Sequence, residues 1–142
     1  MKFDQIPKPV ANPTEPLNRE FWELCKSGFL HFQRCDDCGR WRHLPRHQCA
    51  GCGSPHWHWA VSSGRGKLFS WTISHMVLHP GFAGEAPYAA IVVELEEGVR
   101  MVSGLRDLPV EQMRLDMPLE VCFEQVTENF TVPLFRPASA GQ

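Results

Sequence analysis

Arg34-Cys35-Asp36-Asp37-Cys38-Gly39 and Gln48-Cys49-Ala50-Gly51-Cys52-Gly53 carry two Cys-x-x-Cys pairs, and ten residues separate the inner cysteines. That is the spacing of a four-thiolate zinc ribbon. Each pair forms a tight turn that aims two sulfurs at one point, and the glycine after each lets the backbone bend back. The residues between the pairs must form a short hairpin that sets the second turn opposite the first. Cys35, Cys38, Cys49 and Cys52 are therefore the expected ligands of one structural zinc ion. Zinc is the default because it accepts tetrahedral thiolates without a redox or geometric demand; four thiolates could also hold a single iron, and one pair alone could act as a redox disulfide. Two matched pairs favour metal.

A ribbon of this length builds no core of its own, so the metal stands in for one, contributing on the order of 10 kcal/mol of folding free energy in zinc-finger peptides. The chain has 142 residues, enough for one ordinary domain or two very small ones. No run approaches the ~20 apolar residues of a membrane span, and Met1-Lys2-Phe3-Asp4-Gln5 lacks the apolar centre of a signal peptide. The expectation is a soluble, cytoplasmic protein with no membrane partner, its remaining cysteines, Cys25 and Cys122, reduced. Twelve prolines and eleven glycines point to many turns and short strands.

Charge is unevenly placed. Lys, Arg, Asp and Glu balance at 0 over residues 1–28, +4 over 29–67 and −6 over 68–142. Five of the seven histidines also lie in the basic middle. Prolines at 7, 9 and 13 make the start an extended arm, either mobile or laid along a partner. Thr14 is the expected cap of a helix with Pro16 in its first turn and Leu17, Phe21, Leu24 and Cys25 on one face; Gly28 is its expected stop. Trp22 adds a large aromatic beside that face.

Residues 29–34 read as a strand entering the first cysteine turn, and 57–61 as a returning one. From there the pattern is mainly β: a long strand over 68–77 that must bend or bulge, then strands over 88–95, 99–105, 119–126 and 130–135. Five strands, with a longer excursion between the third and fourth, fit the Greek-key barrel called the OB-fold, with an SH3-like barrel as the rival. The expected organisation is an arm and helix over 1–28, a rubredoxin-like zinc ribbon over 29–64, an OB-fold over 65–137 and a tail over 138–142.

An OB-fold with a ribbon suggests single-stranded nucleic acid, but a barrel half at −6 repels phosphates. Independent catalysis is a weaker reading still. His75 and His79 with Glu85 could move protons, yet no nucleophile elbow, phosphate loop or open metal cluster accompanies them. On the hairpin, Arg40, Arg42 and Arg46 around Trp41 form either a solvated surface or a cradle for phosphates.

Taken together, Phe21-Trp22, Gly28-Phe29-Leu30, the two cysteine knuckles, Pro45-Arg46, Trp59, Ser63-Gly64-Arg65-Gly66, Ser70-x-Thr72, His75, Pro87-Tyr88, Glu97-Gly98-Val99-Arg100, Met117-Pro118 and Phe135-x-Pro137 resemble the zinc-ribbon/OB-fold family known as domain of unknown function thirty-five. Ala50 stands where that family commonly has proline. The resemblance implies a non-catalytic accessory subunit that associates with a thiolase-like enzyme (thiolase, acyltransferase or aldolase) in a hetero-oligomer and binds or positions acyl-CoA. The phosphates of coenzyme A would then meet Arg40, Arg42, Arg46, Arg65 or Lys67, and its pantetheine would lie against Phe21, Trp22, Phe69 and Trp71 between helix and barrel. The alternatives are a nucleic-acid-binding module and a stand-alone CoA thioester enzyme.

Overall fold

A computed structural model describes residues 7–139; residues 1–6 of the expected arm and 140–142 of the expected tail lie outside the described residues. One helix, α1 (Pro16–Cys25), precedes a three-stranded ribbon sheet of β1 (His31–Cys35), β2 (Trp41–Arg42) and β3 (Trp57–Val61) in the order β2-β1-β3. The remaining strands are β4 (Arg65–Ser74), β5 (Tyr88–Leu95), β6 (Arg100–Gly104), β7 (Pro118–Thr127) and β8 (Phe130–Pro137), in the order β6-β5-β4-β7-β8. A parallel bridge between Leu105 and Phe135 brings the outer strands together, so the sheet closes as the five-stranded OB-fold barrel rather than as an SH3-like one.

Alternation builds this barrel. On β5, Ala89, Ile91, Val93 and Leu95 are buried while the residues between them face outward. β4 carries the expected irregularity, a register shift between Leu68 and Ser70 against β5. Gly66 sits where the chain passes closest to its neighbour: a Cβ there would lie 2.5 Å from the Glu94 carbonyl oxygen. Phe21 and Cys25 of α1, Leu30 and Phe32 of the ribbon, and Leu68, Ile91, Leu119 and Phe135 of the barrel belong to one buried cluster.

Several local expectations are corrected. Glu15, not Thr14, caps α1, its Oε2 accepting the Asn18 N–H at 2.9 Å, because Pro16 at the first helical position pushes the residue before it into extended backbone. The helix stops at Cys25, with Lys26 as its cap, and Gly28 follows at φ +83° to turn the chain into β1. The first strand begins at His31, leaving Phe29 exposed, and β4 runs from Arg65 to Ser74 rather than over 68–77. The arm from residue 7 lies on its own barrel: Lys8 pairs with Glu85 at 2.8 Å and covers the Phe82 ring. Between the third and fourth barrel strands the excursion holds one short helical turn, Val110–Gln112.

Candidate functional site

The four cysteine sulfurs lie within 4.8 Å of one another. Cys35 and Cys52 are 3.6 Å apart, as are Cys38 and Cys49. Sulfurs about 2.3 Å from a tetrahedral zinc stand about 3.8 Å from each other, so these separations fit that ion. Backbone N–H groups serve each knuckle: Cys38 donates to the Cys35 sulfur at 3.5 Å and Gly51 to the Cys49 sulfur at 3.3 Å. These bonds favour thiolate. The Cys52 and Gly51 backbone groups pull Cys49 down to about 6, and the Cys38 N–H lowers Cys35.

The other two thiols behave differently. The Ser54 N–H favours a Cys52 thiolate, but neighbouring Cys35 and the other two thiols outweigh it and push Cys52 up to about 12. Four sulfurs this close resist carrying four negative charges unless a cation sits among them, which is the chemistry of a metal-binding donor set. Carboxylates brace the knuckles from outside. Asp37 accepts the Ser54 hydroxyl, and Asp36 meets His58 Nδ1 at 2.5 Å, tying the first turn to the second and to β3. The sequence reading passed over both aspartates, though their position inside a knuckle was the available signal.

Behind the knuckles, Gln33 is fully buried and joins β1 to the hairpin. Its Oε1 accepts Arg42 Nε at 2.8 Å and the Arg46 N–H at 2.7 Å, while its Nε2 donates to the Arg46 carbonyl at 3.0 Å. Arg42 also donates to that carbonyl and lies 5.9 Å over the Trp57 ring. Its Nη1 is buried with no hydrogen-bond partner. Arg42 is thus part of the hairpin's frame, and the residue also lines a cavity of about 610 Å³. Arg40, Trp41 and Arg42 form the ribbon wall of that cavity, and Glu94, Glu97 and Arg100 the barrel wall. Both carboxylates there have partners: Glu94 pairs with Arg100 at 3.5 Å, and Glu97 accepts the Ser62 and Ser63 hydroxyls.

The expected coenzyme A contacts are spread over more than one cavity. Arg65 and Lys67 line a neighbouring cavity of about 440 Å³ with Glu96 and Pro118, which meets the first at Glu94, and Lys67 lies 3.8 Å from Asp116. Arg46 is exposed on the hairpin with its backbone committed to Gln33. Phe21 is 5% exposed and belongs to the core. Trp22 packs on Phe130, ring centres 4.8 Å apart, beside an apolar cavity of about 240 Å³ under the arm. Phe69 lies under the Arg100 guanidinium at 3.8 Å, and Trp71 packs half-buried against the core. A helical stripe marks which residues are apolar, not which of them become core.

Two of the three candidate proton-transfer residues, His79 and Glu85, hold the loop. His79 Nδ1 accepts the Gly81 N–H at 2.9 Å, capping the short helical turn Pro80–Phe82, and Glu85 pairs with both Lys8 and Arg106. His75 is exposed. The ring of His43 packs between Phe21 and Phe32 at 5.0 and 5.1 Å, and burial pushes it down to about 4. Among the described residues, no helix is long and apolar enough to cross a membrane.

Comparison with known proteins agrees with this architecture. Residues 22–58 match the rubredoxin-like zinc ribbon domain of ChsH2, and residues 59–124 match the ChsH2 C-terminal OB-fold domain. A probable enoyl-CoA hydratase alpha subunit of Thermomonospora curvata is 36% identical over 95% of the chain, which spans only 42% of that protein's length. A DUF35 domain-containing scaffold protein of Methanocaldococcus jannaschii is 30% identical over 68% of each chain. Among solved structures, a chain of the Ltp2-ChsH2(DUF35) aldolase superposes with a TM-score of 0.82 at 33% identity, covering 93% of this chain and 100% of that one. The chain belongs to the ChsH2-type DUF35 family of zinc-ribbon and OB-fold proteins.

Proposed function

We propose that this chain is a non-catalytic, zinc-stabilised accessory subunit that docks on a thiolase-like enzyme and helps hold an acyl-CoA. The observation that carries this reading is the likeness to a whole chain of the Ltp2-ChsH2(DUF35) aldolase, an assembly named for two components. The residues agree with it. The sulfurs have the geometry of a closed structural site, and His79 and Glu85 are engaged in holding the loop. Zinc's role is to fix the arginine-bearing hairpin against the barrel.

For the ligand, the supporting feature is the cavity flanked by Arg40 and Arg42. Arg40 is exposed there and Arg42 is half-buried beside it, so an anion entering the cavity would meet two guanidinium groups, which pair with phosphate through charge-assisted hydrogen bonds. Arg65 and Lys67 line the neighbouring cavity, so the proposed phosphate contacts centre on Arg40 and Arg42.

Co-expression with each thiolase-like enzyme of the source organism tests the first claim. The expected result is a stable complex whose turnover collapses when this chain is withheld; a fully active enzyme without it would refute the reading. Isothermal titration of the complex with coenzyme A and an acyl-CoA tests the second. Arg40→Glu should weaken binding about tenfold, and absence of heat at millimolar ligand would sink the ligand claim.

A further inference from the structure

Residues 68–84 contain no Asp, Glu, Lys or Arg, a run of seventeen in a chain that is 21% charged. Much of that run is at the surface. Ile73 is 37% exposed, Met76 70%, Val77 41% and Leu78 81%. Exposed aliphatics are common singly, but three consecutive ones after an exposed strand end form a patch.

Backbone pairing picks out the same place. β4 pairs with β7 only through Arg65, Gly66 and Lys67, and Leu68 then exchanges bonds with Met117 and Asp116. At the register shift beyond Leu68 the strand leaves that neighbour. Residues 70–74 continue to pair with β5 on one side, out to Ser74 opposite Tyr88. Among the described residues, no strand lies on their other side. Free edges normally carry a lysine, a proline or an inward charge against unwanted pairing. Ser70-Trp71-Thr72-Ile73-Ser74 carries none of these.

We propose that residues 70–78 are the edge on which the partner enzyme docks, a strand of the partner extending the sheet at residues 70–74 while Met76, Val77 and Leu78 enter an apolar recess. This rests on the accessory-subunit reading above. The chemistry of the surface fixes that of its occupant. With no formal charge anywhere in the segment, a charged partner face would lose water without gaining a counter-charge. Its unpaired backbone calls for a neighbour that offers backbone donors and acceptors at strand spacing. The occupant is therefore a folded protein presenting its own strand edge beside aliphatic side chains.

The test uses the zinc-loaded chain and the thiolase-like enzyme with which it co-purifies. M76D/L78D should leave the free chain's zinc content and melting temperature unchanged and weaken the complex about tenfold or more. Hydrogen exchange should show amides within 70–74 protected about tenfold or more in the wild-type complex relative to the free chain. A variant that binds like wild type, with no protection at 70–74, overturns the docking edge and leaves the accessory role standing. If no thiolase-like enzyme binds the wild-type chain, the accessory reading falls and the edge with it. A wild-type chain that dimerises alone and is made monomeric by M76D/L78D would assign the edge to a second copy, also overturning the proposal.

Discussion

Gln33 shows how much one buried polar side chain can organise. It is fully buried, and its amide pairs with Arg42 Nε and both backbone groups of Arg46. Gln33→Leu keeps the volume near that of glutamine but orphans the Arg46 N–H and the Arg42 Nε, while the Arg46 carbonyl keeps its bond from Arg42. Urea unfolding of the zinc-loaded protein should lose about 2–4 kcal/mol. Loss below about 0.5 kcal/mol would mean the network adds little. His43 makes a complementary prediction about pH. Burial between Phe21 and Phe32 lowers its pKa from 6.5 to about 4, so between those values the unfolded chain binds more protons. His43's stabilising contribution is whole above pH 6.5 and is lost as pH falls toward 4. In denaturant titrations at paired pH values, the stability of His43→Phe relative to wild type should rise by up to about 3 kcal/mol as the pH drops through that window. A pH-independent difference would place the ring in water.

At the scale of elements, the ribbon and the barrel depend on different forces. β2 is two residues long, and the hairpin around it is held by the cysteine knuckles, the Gln33 network and the Asp36 and Asp37 braces. β5 and β6 stand on a packed apolar face. Chelation of the metal, or Cys35→Ser, should therefore release amide protection across residues 36–54 first while β5 and β6 keep theirs, read by hydrogen exchange. Equal loss in both would make the metal the keystone of the barrel as well. This division was largely legible in the sequence. Two Cys-x-x-Cys-Gly knuckles specify their own turns locally, and the alternation from Tyr88 to Leu95 specifies a half-buried strand. Less legible was the cap on α1, where Pro16 outweighed the preference of Thr14 for a cap position. The coenzyme A set was least legible, because whether Arg65 faces the same cavity as Arg40 depends on how ribbon and barrel dock. No local pattern encodes that.

For the whole molecule, the decisive feature is a core that crosses the sequence boundaries. Phe21, Cys25, Leu30 and Phe32 come from the helix and ribbon and pack with Leu68, Ile91, Val93 and Phe135 of the barrel. Gly64 and Gly66 bring the connection in tightly: a Cβ on Gly64 would stand 2.6 Å from a methyl of Val121, and one on Gly66 2.5 Å from the Glu94 carbonyl. A ribbon that shares its apolar residues with a barrel gains little by unfolding alone once metal is bound. Calorimetry of the zinc-loaded chain should thus show a single transition with equal calorimetric and van't Hoff enthalpies. Phe32 supplies the sharper test, since it stands on β1 of the ribbon yet is completely buried in the common core. Phe32→Ala should cost about 3–5 kcal/mol and lower the one transition as a whole. If the ribbon instead melted separately, with the barrel transition unmoved, the shared cluster would be a surface of contact between two independent units. Paired with Ile91→Ala in a double-mutant cycle, the same substitution should show a coupling energy of about 0.5 kcal/mol or more if the two members of the cluster share one packing space, and additive costs would separate them.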